Sequence, residues 1–358
     1  MSFLSKLLGQ DSADTLSVPA MDGMFKPNTL LDGTERIADL AGADNLAAGP
    51  DGLYTSGGNT LFHIDPDVKR VEAFRTFEST VTMAATSPAG RLAVGIEGGS
   101  LELFDNGAWR RLDFPADLAA CITAGLFVDE ETLYLTVGSR QHRASEWKRD
   151  LMSRGSTGTL LRCSLPTGAV EALADNLAFP YGLALLDDGR LAVSESWCHR
   201  VVAAQPRRGS TEVLIGDLPA YPARLATSAK GGFWLALFAP RRQLTEFVLS
   251  EDDYRLEMMS TISPEAWIGP DFCDNGDNEQ PLQAGSVRQM GIMKPWAPSR
   301  SYGLVAKLDR DMKPVASYHS RADGRMHGIA SVAKYRGQVY AASRGSGTLL
   351  RIGMDDAP

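Results

Sequence analysis

Four residues of this 358-residue chain carry side chains suited to chemistry and share one kind of position. Asp44, Tyr181, Arg224 and His327 each stand at or near the head of a short apolar run that ends in a polar turn. An aspartate beside a histidine makes a general base with its orienter, because imidazole titrates near neutrality. A tyrosine hydroxyl can donate to an oxyanion developing on a carbonyl. An arginine suggests an anionic group on the ligand. Three of them also have a plainer role: His327 as a polar turn residue, Tyr181 as a channel plug, Arg224 in a salt bridge with a neighbouring loop.

The elements that must position these residues are hairpins. "FPYGLALLDDGRLAVSES" (179–196) is an apolar run, the turn Asp187-Asp188-Gly189 and a second apolar run. Glycine accepts the positive φ of such a turn, and aspartate bonds its own backbone. The same unit begins at Asp44, Val81, Thr123, Pro180, Pro222 and His327. Most units add a third strand, such as Thr60–Ile64, Ser100–Phe104, Leu160–Cys163 or Thr348–Ile352. Repeats of roughly 40 residues with about four strands each are the signature of a β-propeller. The reading is therefore all-β: a six-bladed β-propeller with its last blade closed beside its first.

In that architecture the first strand of each blade lines the central channel, and its leading end opens on one mouth. Counting back eight positions from the turn glycine gives Asp44, Thr82, Tyr181 and Ala223, the last followed by Arg224. The third and sixth hairpins differ in turn length and offer Thr123 or Ala124, and His327. Closure would make the blades of Asp44 and His327 neighbours. Pro180 would fix the approach of its strand, Tyr181 would point into the mouth, and Gly182 would let the strand come close to the axis.

Residues 1–30 read as an N-terminal extension and 31–358 as the propeller, with insertions at about 140–157 and 261–300. The first insertion, "SRQHRASEWKRDLMSRGS", has helical spacing and would cap one blade, bringing His142, Trp147 and Lys148. The second is a long loop holding Trp267, Phe272, Met290, Met293 and Trp296, too apolar for disorder, and reads as a lid with an aromatic wall or an interaction surface. Its "DNGDNE" (274–279) lacks the spacing of an EF-hand loop. The start, "MSFLSKLLGQDSADTL", is too short in apolar residues for a secretory signal and reads as a short amphipathic helix packed on the body or touching a membrane surface. Glu195 and Arg200 would pair within a blade, and His63, His199 and His319 would be structural.

A net charge of −8 without long basic runs argues against nucleic-acid binding. No stretch approaches the ~18 apolar residues of a membrane-spanning helix. Cys121, Cys163, Cys198 and Cys273 are too far apart for zinc spacing, and reduced thiols suit a cytoplasmic protein.

From "LYLTVGSRQHRASEWKRDLMSRGSTGTLLRCSLPTGAVEALADNLAFPYGLALLDDGRLAVSES", "LPAYPARLATSAKGGFWLALFAPRR" and "YGLVAKLDRDMKPVASYHSRADGRMHGIASVAKYRGQVYAAS" onward, the chain resembles the strictosidine synthase-like and gluconolactonase-type six-bladed propellers. The nearest likeness is to the adipocyte plasma membrane-associated protein branch. The resemblance implies lactone or ester hydrolysis, commonly with calcium or another divalent ion held at the channel mouth by Glu, Asn and Asp. Here Asp44 stands where the family tends to have Glu, Ile122 and Thr123 where it often has Asn, Tyr181 for the Asn of "FPNG", and Ala223 for the Asp of "FPDN". Asp44 is then the one metal ligand left, and the last-blade glutamate of strictosidine synthase has no counterpart near Ala330 or Ser331. The expectation is a hydrolase of a small lactone or ester, with room for an anionic substrate. Asp44, His327 and Tyr181 would be catalytic, and Thr82, Thr123, Arg224, Trp267 and Trp296 would bind the substrate. The alternatives are a scaffold propeller that has lost its metal site, and a synthase or lyase acting on an amine or aldehyde.

Overall fold

Six four-stranded antiparallel sheets follow one another along the chain in the computed structural model, which describes residues 18–273, 288–289, 292–293, 299–322 and 324–355. The N-terminal stretch read as an amphipathic helix, "DNGDNE" and Trp296 lie outside the described residues. Blade 1 runs through Ala43–Ala48, Leu53–Gly57, Thr60–Asp65 and Arg70–Thr76, and blades 2 to 5 repeat the meander. Blade 6 takes Ile329–Tyr335, Gln338–Ser343 and Thr348–Met354 from the C-terminal end. Its outermost strand is Glu35–Asp39 from the N-terminal side. The two ends of the propeller are thus joined by a sheet ladder, an arrangement the hairpin repeats alone do not reveal.

Each blade is one turn of the same logic. In blade 4, Gly189 adopts φ +83° and the Asp188 carboxylate accepts from the Arg190 N–H at 3.0 Å, which closes the hairpin of Pro180–Leu185 and Leu191–Glu195. The inner strands of neighbouring blades meet all the way round, and the apolar core divides into clusters between successive blades. Met83, Leu101 and Leu135, for example, fill the gap between blades 2 and 3. A buried side chain of this kind contributes about 1.5–3 kcal/mol, so a sheet that is marginal alone is held by its two neighbours.

A feature common to every blade positions the site. The pairing of first and second strand slips just inside the mouth: between Asp44 and Ala47, Val81 and Met83, Ile122 and Ala124, Pro180 and Gly182, Pro222 and Leu225, and Ile329 and Ser331. A bulge frees a residue from the ladder and re-aims its groups. Six bulges at one level turn the freed residues toward the axis. Gly182 is needed there for space: a Cβ would lie 2.4 Å from the Ala223 carbonyl oxygen and 2.8 Å from the Arg224 Cα.

Two insertions rise from the connection between second and third strands, the side on which the bulges open. In blade 3 it carries the helix Trp147–Met152. In blade 5 it begins with helices Gln243–Ser250 and Asp252–Thr261, earlier than the loop boundary expected at 261, and returns at Leu304.

Candidate functional site

Arg224 occupies the axis. Its Nε donates to the Thr123 carbonyl at 3.1 Å, Nη1 to Asp44 Oδ1 at 2.5 Å and the Ala330 carbonyl at 3.5 Å. Nη2 donates to Asn45 Oδ1 at 2.5 Å and to the carbonyls of Thr82 and Thr123 at 3.0 and 2.8 Å. The guanidinium lies over the Tyr181 ring, 4.8 Å from its centroid. Both partners of the Arg224–Asp44 pair have side chains only 9% exposed. The bulged strands explain the geometry, since they supply the carbonyls that a regular ladder would have consumed.

Above this floor lies a cavity of about 290 Å³. Trp147, Phe179, Trp197, Phe238 and Phe272 form its apolar wall. Phe179 stacks on Trp197 with centroids 4.4 Å apart, and Phe238 on Phe272 at 4.8 Å. Phe179 holds φ +53°, a left-handed backbone that is rare for a bulky residue and is kept by the stack around it. Its polar lining includes Asp44, Thr82, Glu97, Thr123, Tyr181, Arg224 and Arg344. Arg344 is one-third exposed, sits 3.6 Å from Asp44 Oδ2, covers the Phe272 ring at 4.2 Å and reaches the Tyr181 hydroxyl. Burial, and then the Asp44 charge, push the Tyr181 hydroxyl above its ordinary range, so it stays a neutral donor. Thr82 Oγ1 is buried with no hydrogen-bond partner among the described residues. Glu97 Oε1 accepts from the Ser145 N–H at 2.6 Å and thereby ties the blade 3 cap to blade 2.

Of the residues expected at the mouth, Asp44, Thr82, Thr123, Tyr181 and Arg224 come together there. Thr123 is the third-blade residue rather than Ala124, and its hydroxyl is committed to the Pro180 carbonyl at 2.5 Å. His327 does not join them. The sixth bulge falls at Ala330, three residues further on, while His327 is buried against Ser301 Oγ at 2.8 Å and the Arg321 carbonyl at 2.9 Å. Asp44 instead serves the two arginines, and its Oδ1 also accepts the Asn45 N–H at 2.7 Å. Arg224 has no N–H left to offer an anionic ligand; Arg344 does. Trp267 is fully buried away from the cavity and donates to the Ile262 carbonyl at 3.0 Å. Phe272 is the wall residue from that insertion.

The remaining expectations fall outside the cavity. Glu195 and Arg200 pair at 2.6 Å within blade 4, and Glu195 also accepts the Ala178 N–H at 2.9 Å. His142 bonds Asp150 at 3.0 Å, and Asp150 accepts the Trp197 indole N–H at 2.8 Å, which fixes the cap over the mouth. Lys148 pairs with Asp271 at 2.7 Å and so joins the cap to the blade 5 insertion. Glu97 and Arg344 escape a reading of first strands alone. Both stand just past the end of a second strand, which lies beside the start of the first.

The divalent ion implied by the resemblance does not fit these residues. Calcium needs six to eight oxygens, and the oxygens that face the axis already hold a guanidinium.

The sequence model of the strictosidine synthase family matches residues 125–204, in blades 3 and 4. The chain is 25% identical to the adipocyte plasma membrane-associated protein of Danio rerio over 68% of its length and 53% of the relative's. The Salmo salar protein of that name is 24% identical over 93% of this chain and 81% of its own. Strictosidine synthase-like protein 8 of Arabidopsis thaliana is 27% identical over 50% and 47%. The chain thus spans about half the length of the zebrafish and Arabidopsis relatives. Among solved structures, a gluconolactonase of Xanthomonas campestris superposes with a TM-score of 0.58 at 12% identity, covering 89% of this chain and 88% of that one. The calcium-binding regucalcin of Agrobacterium tumefaciens superposes with a TM-score of 0.58 at 11% identity, covering 90% and 94%. By sequence the chain is similar to strictosidine synthase in blades 3 and 4 and to adipocyte plasma membrane-associated proteins over most of its length, on a fold shared with gluconolactonases.

Proposed function

We propose that this protein hydrolyses a small lactone or ester at the channel mouth, without a metal ion. The observation that carries the reading is one cavity lined both by hydroxyl donors and by a carboxylate, Glu97, that accepts from the Ser145 N–H. Tyr181 is held neutral, and because arginine only donates, its contact with Arg344 leaves the phenol proton for a ligand. Thr82 adds an uncommitted hydroxyl. Asp44 is saturated by two guanidinium groups and a backbone N–H, which leaves Glu97 as the base. Glu97 takes a proton from water as the water oxygen bonds to the acyl carbon. The carbonyl electron pair moves onto oxygen, where Tyr181 and Thr82 donate to it. Collapse breaks the bond to the leaving oxygen, which receives the proton from Glu97.

The substrate is a small molecule. A cavity of about 290 Å³ lies at the low end of ligand sites, and its aromatic walls suit a flat or apolar ring. Arg344 suits an anionic substituent.

The test is turnover of a panel of five- and six-membered lactones and aryl esters by the wild type and Glu97→Gln. Turnover that survives in EDTA and falls in the variant supports the reading. If no panel member is turned over while lactones bind by calorimetry, the protein is a binding propeller and the hydrolase reading is overturned.

A further inference from the structure

The Arg224 side chain reaches every blade. It leaves blade 5, bonds Asp44 and Asn45 of blade 1, Thr82 of blade 2, Thr123 of blade 3 and Ala330 of blade 6, and covers the Tyr181 ring of blade 4. Two of the five oxygens are side-chain atoms and three are backbone carbonyls freed by bulges. They enclose one positive charge, and one of them belongs to a carboxylate. The cage is therefore electrically matched to a monovalent cation that cannot be deprotonated.

We propose that Arg224 is the resident cation of this propeller: it fills an axial oxygen cage in place of a metal ion and ties all six blades at one point. The disagreement between the donor set and a bound metal is then a substitution of one cation for another, not the loss of a site. A guanidinium suits the task because its donors lie in one plane and point outward in several directions, as the surrounding carbonyls require. The same five oxygens are hard donors of the kind a divalent ion prefers, with water completing its shell. Cutting the side chain back to Cβ leaves the oxygens and removes the charge. The inference stands apart from hydrolysis, since it concerns folding stability and cation binding.

Thermal unfolding and calorimetric titration with calcium chloride test it, on the wild type, Arg224→Ala, Arg224→Met and Arg224→Lys. The wild-type Tm is expected to be the same in EDTA and in about 1 mM calcium, because the cage is filled. Arg224→Met leaves buried Asp44 with only the more distant Arg344 and the Asn45 N–H, and the axial carbonyls without a donor, and should melt about 6–10 °C lower. Arg224→Lys keeps a cation at the axis and should retain most of the wild-type Tm. Arg224→Ala should melt low in EDTA, gain about 5 °C in calcium and titrate with one equivalent. The proposal is overturned if Arg224→Met melts with the wild type, if Arg224→Ala takes up neither calcium nor manganese, or if calcium stabilises the wild type. Should Arg224→Ala not fold, the Lys and Met variants decide: equal Tm values mean that the charge at the axis holds nothing, and the proposal falls.

Discussion

The substitution Glu97→Gln separates the two site assignments most sharply. The amide oxygen of the variant side chain can still accept the Ser145 N–H that Glu97 accepts at 2.6 Å, so the cap stays in place while the proton acceptor is lost. Loss of a positioned general base costs about 10²–10⁴ in rate, or roughly 3–5 kcal/mol on the barrier at about 1.36 kcal/mol per tenfold. The hydroxyls of Tyr181 and Thr82 are untouched, so a residual rate remains. His327→Ala gives the opposite pattern. It leaves a buried Ser301 hydroxyl and the Arg321 carbonyl without their ring partner, about 1–3 kcal/mol each. Its Tm should fall while kcat in the surviving fold stays near wild type. The assay is initial rate on the best lactone or aryl ester of the panel, with Tm measured on the same samples. If Glu97→Gln turns over at the wild-type rate, or His327→Ala loses rate at unchanged Tm, the assignment of the base to Glu97 is refuted.

Three further outcomes follow from named contacts. Arg344→Gln should raise KM about 10–100-fold for a carboxylate-bearing substrate and leave a neutral one nearly unchanged, since a hydrogen bond to a charged group contributes about 1.5–3 kcal/mol; equal effects on both would remove Arg344 from recognition. Burial lowers the His319 imidazole to about 4 from an unfolded value near 6.5. Between these values the unfolded chain binds more protons, so stability is full above about pH 6.5 and falls by about 2 kcal/mol at pH 5. Buried His199, also lowered, acts in the same direction. Urea midpoints for wild type and His319→Gln at pH 7 and 5 check this, and an identical pH slope in both would contradict it. Gly182→Ala should cost at least about 1–3 kcal/mol, because its Cβ meets backbone atoms of blade 5 that cannot move aside; a wild-type Tm would show that the inner strands are not so close.

The blades are legible in the sequence because each is a local pattern. An apolar run, a turn with Gly52, Gly90, Gly189 or Gly231, and a second run specify a hairpin without reference to the rest of the chain. The pairing of Glu35–Asp39 with Thr348–Met354 is not legible, since it joins segments some 300 positions apart and no turn links them. The helices Gln243–Ser250 and Asp252–Thr261 escape for another reason. The second is ringed by Asp252, Asp253, Glu257 and other polar residues, and such a helix shows no stripe for periodicity to detect.

The site is half legible, and the missing half has a geometric cause. Counting back from the turn glycine finds the bulged residue in blades 2, 4 and 5 and the residue just before the bulge, Asp44, in blade 1, because the bulge sits at a nearly fixed distance from the hairpin end. In blade 6 the tight turn Arg336-Gly337 brings the bulge at Ala330 closer to the hairpin end, so the count does not carry over, and His327, read from the start of the unit, lies three residues short of the bulge. Residues past the end of each second strand share the mouth but follow no counting rule, so Glu97 and Arg344 stand unmarked. Arg224 is marked by its position, but the sequence leaves its partner open between a ligand anion and a salt bridge with a neighbouring loop. An arginine at a channel mouth suggests an anion only if water is its alternative. Here the alternative is a ring of carbonyls turned inward by bulges, and no sequence pattern states how many of them converge. Once the bulges are counted, the charge at the axis is accounted for by the fold, and the work of meeting a ligand passes to Arg344, the guanidinium that is still one-third exposed.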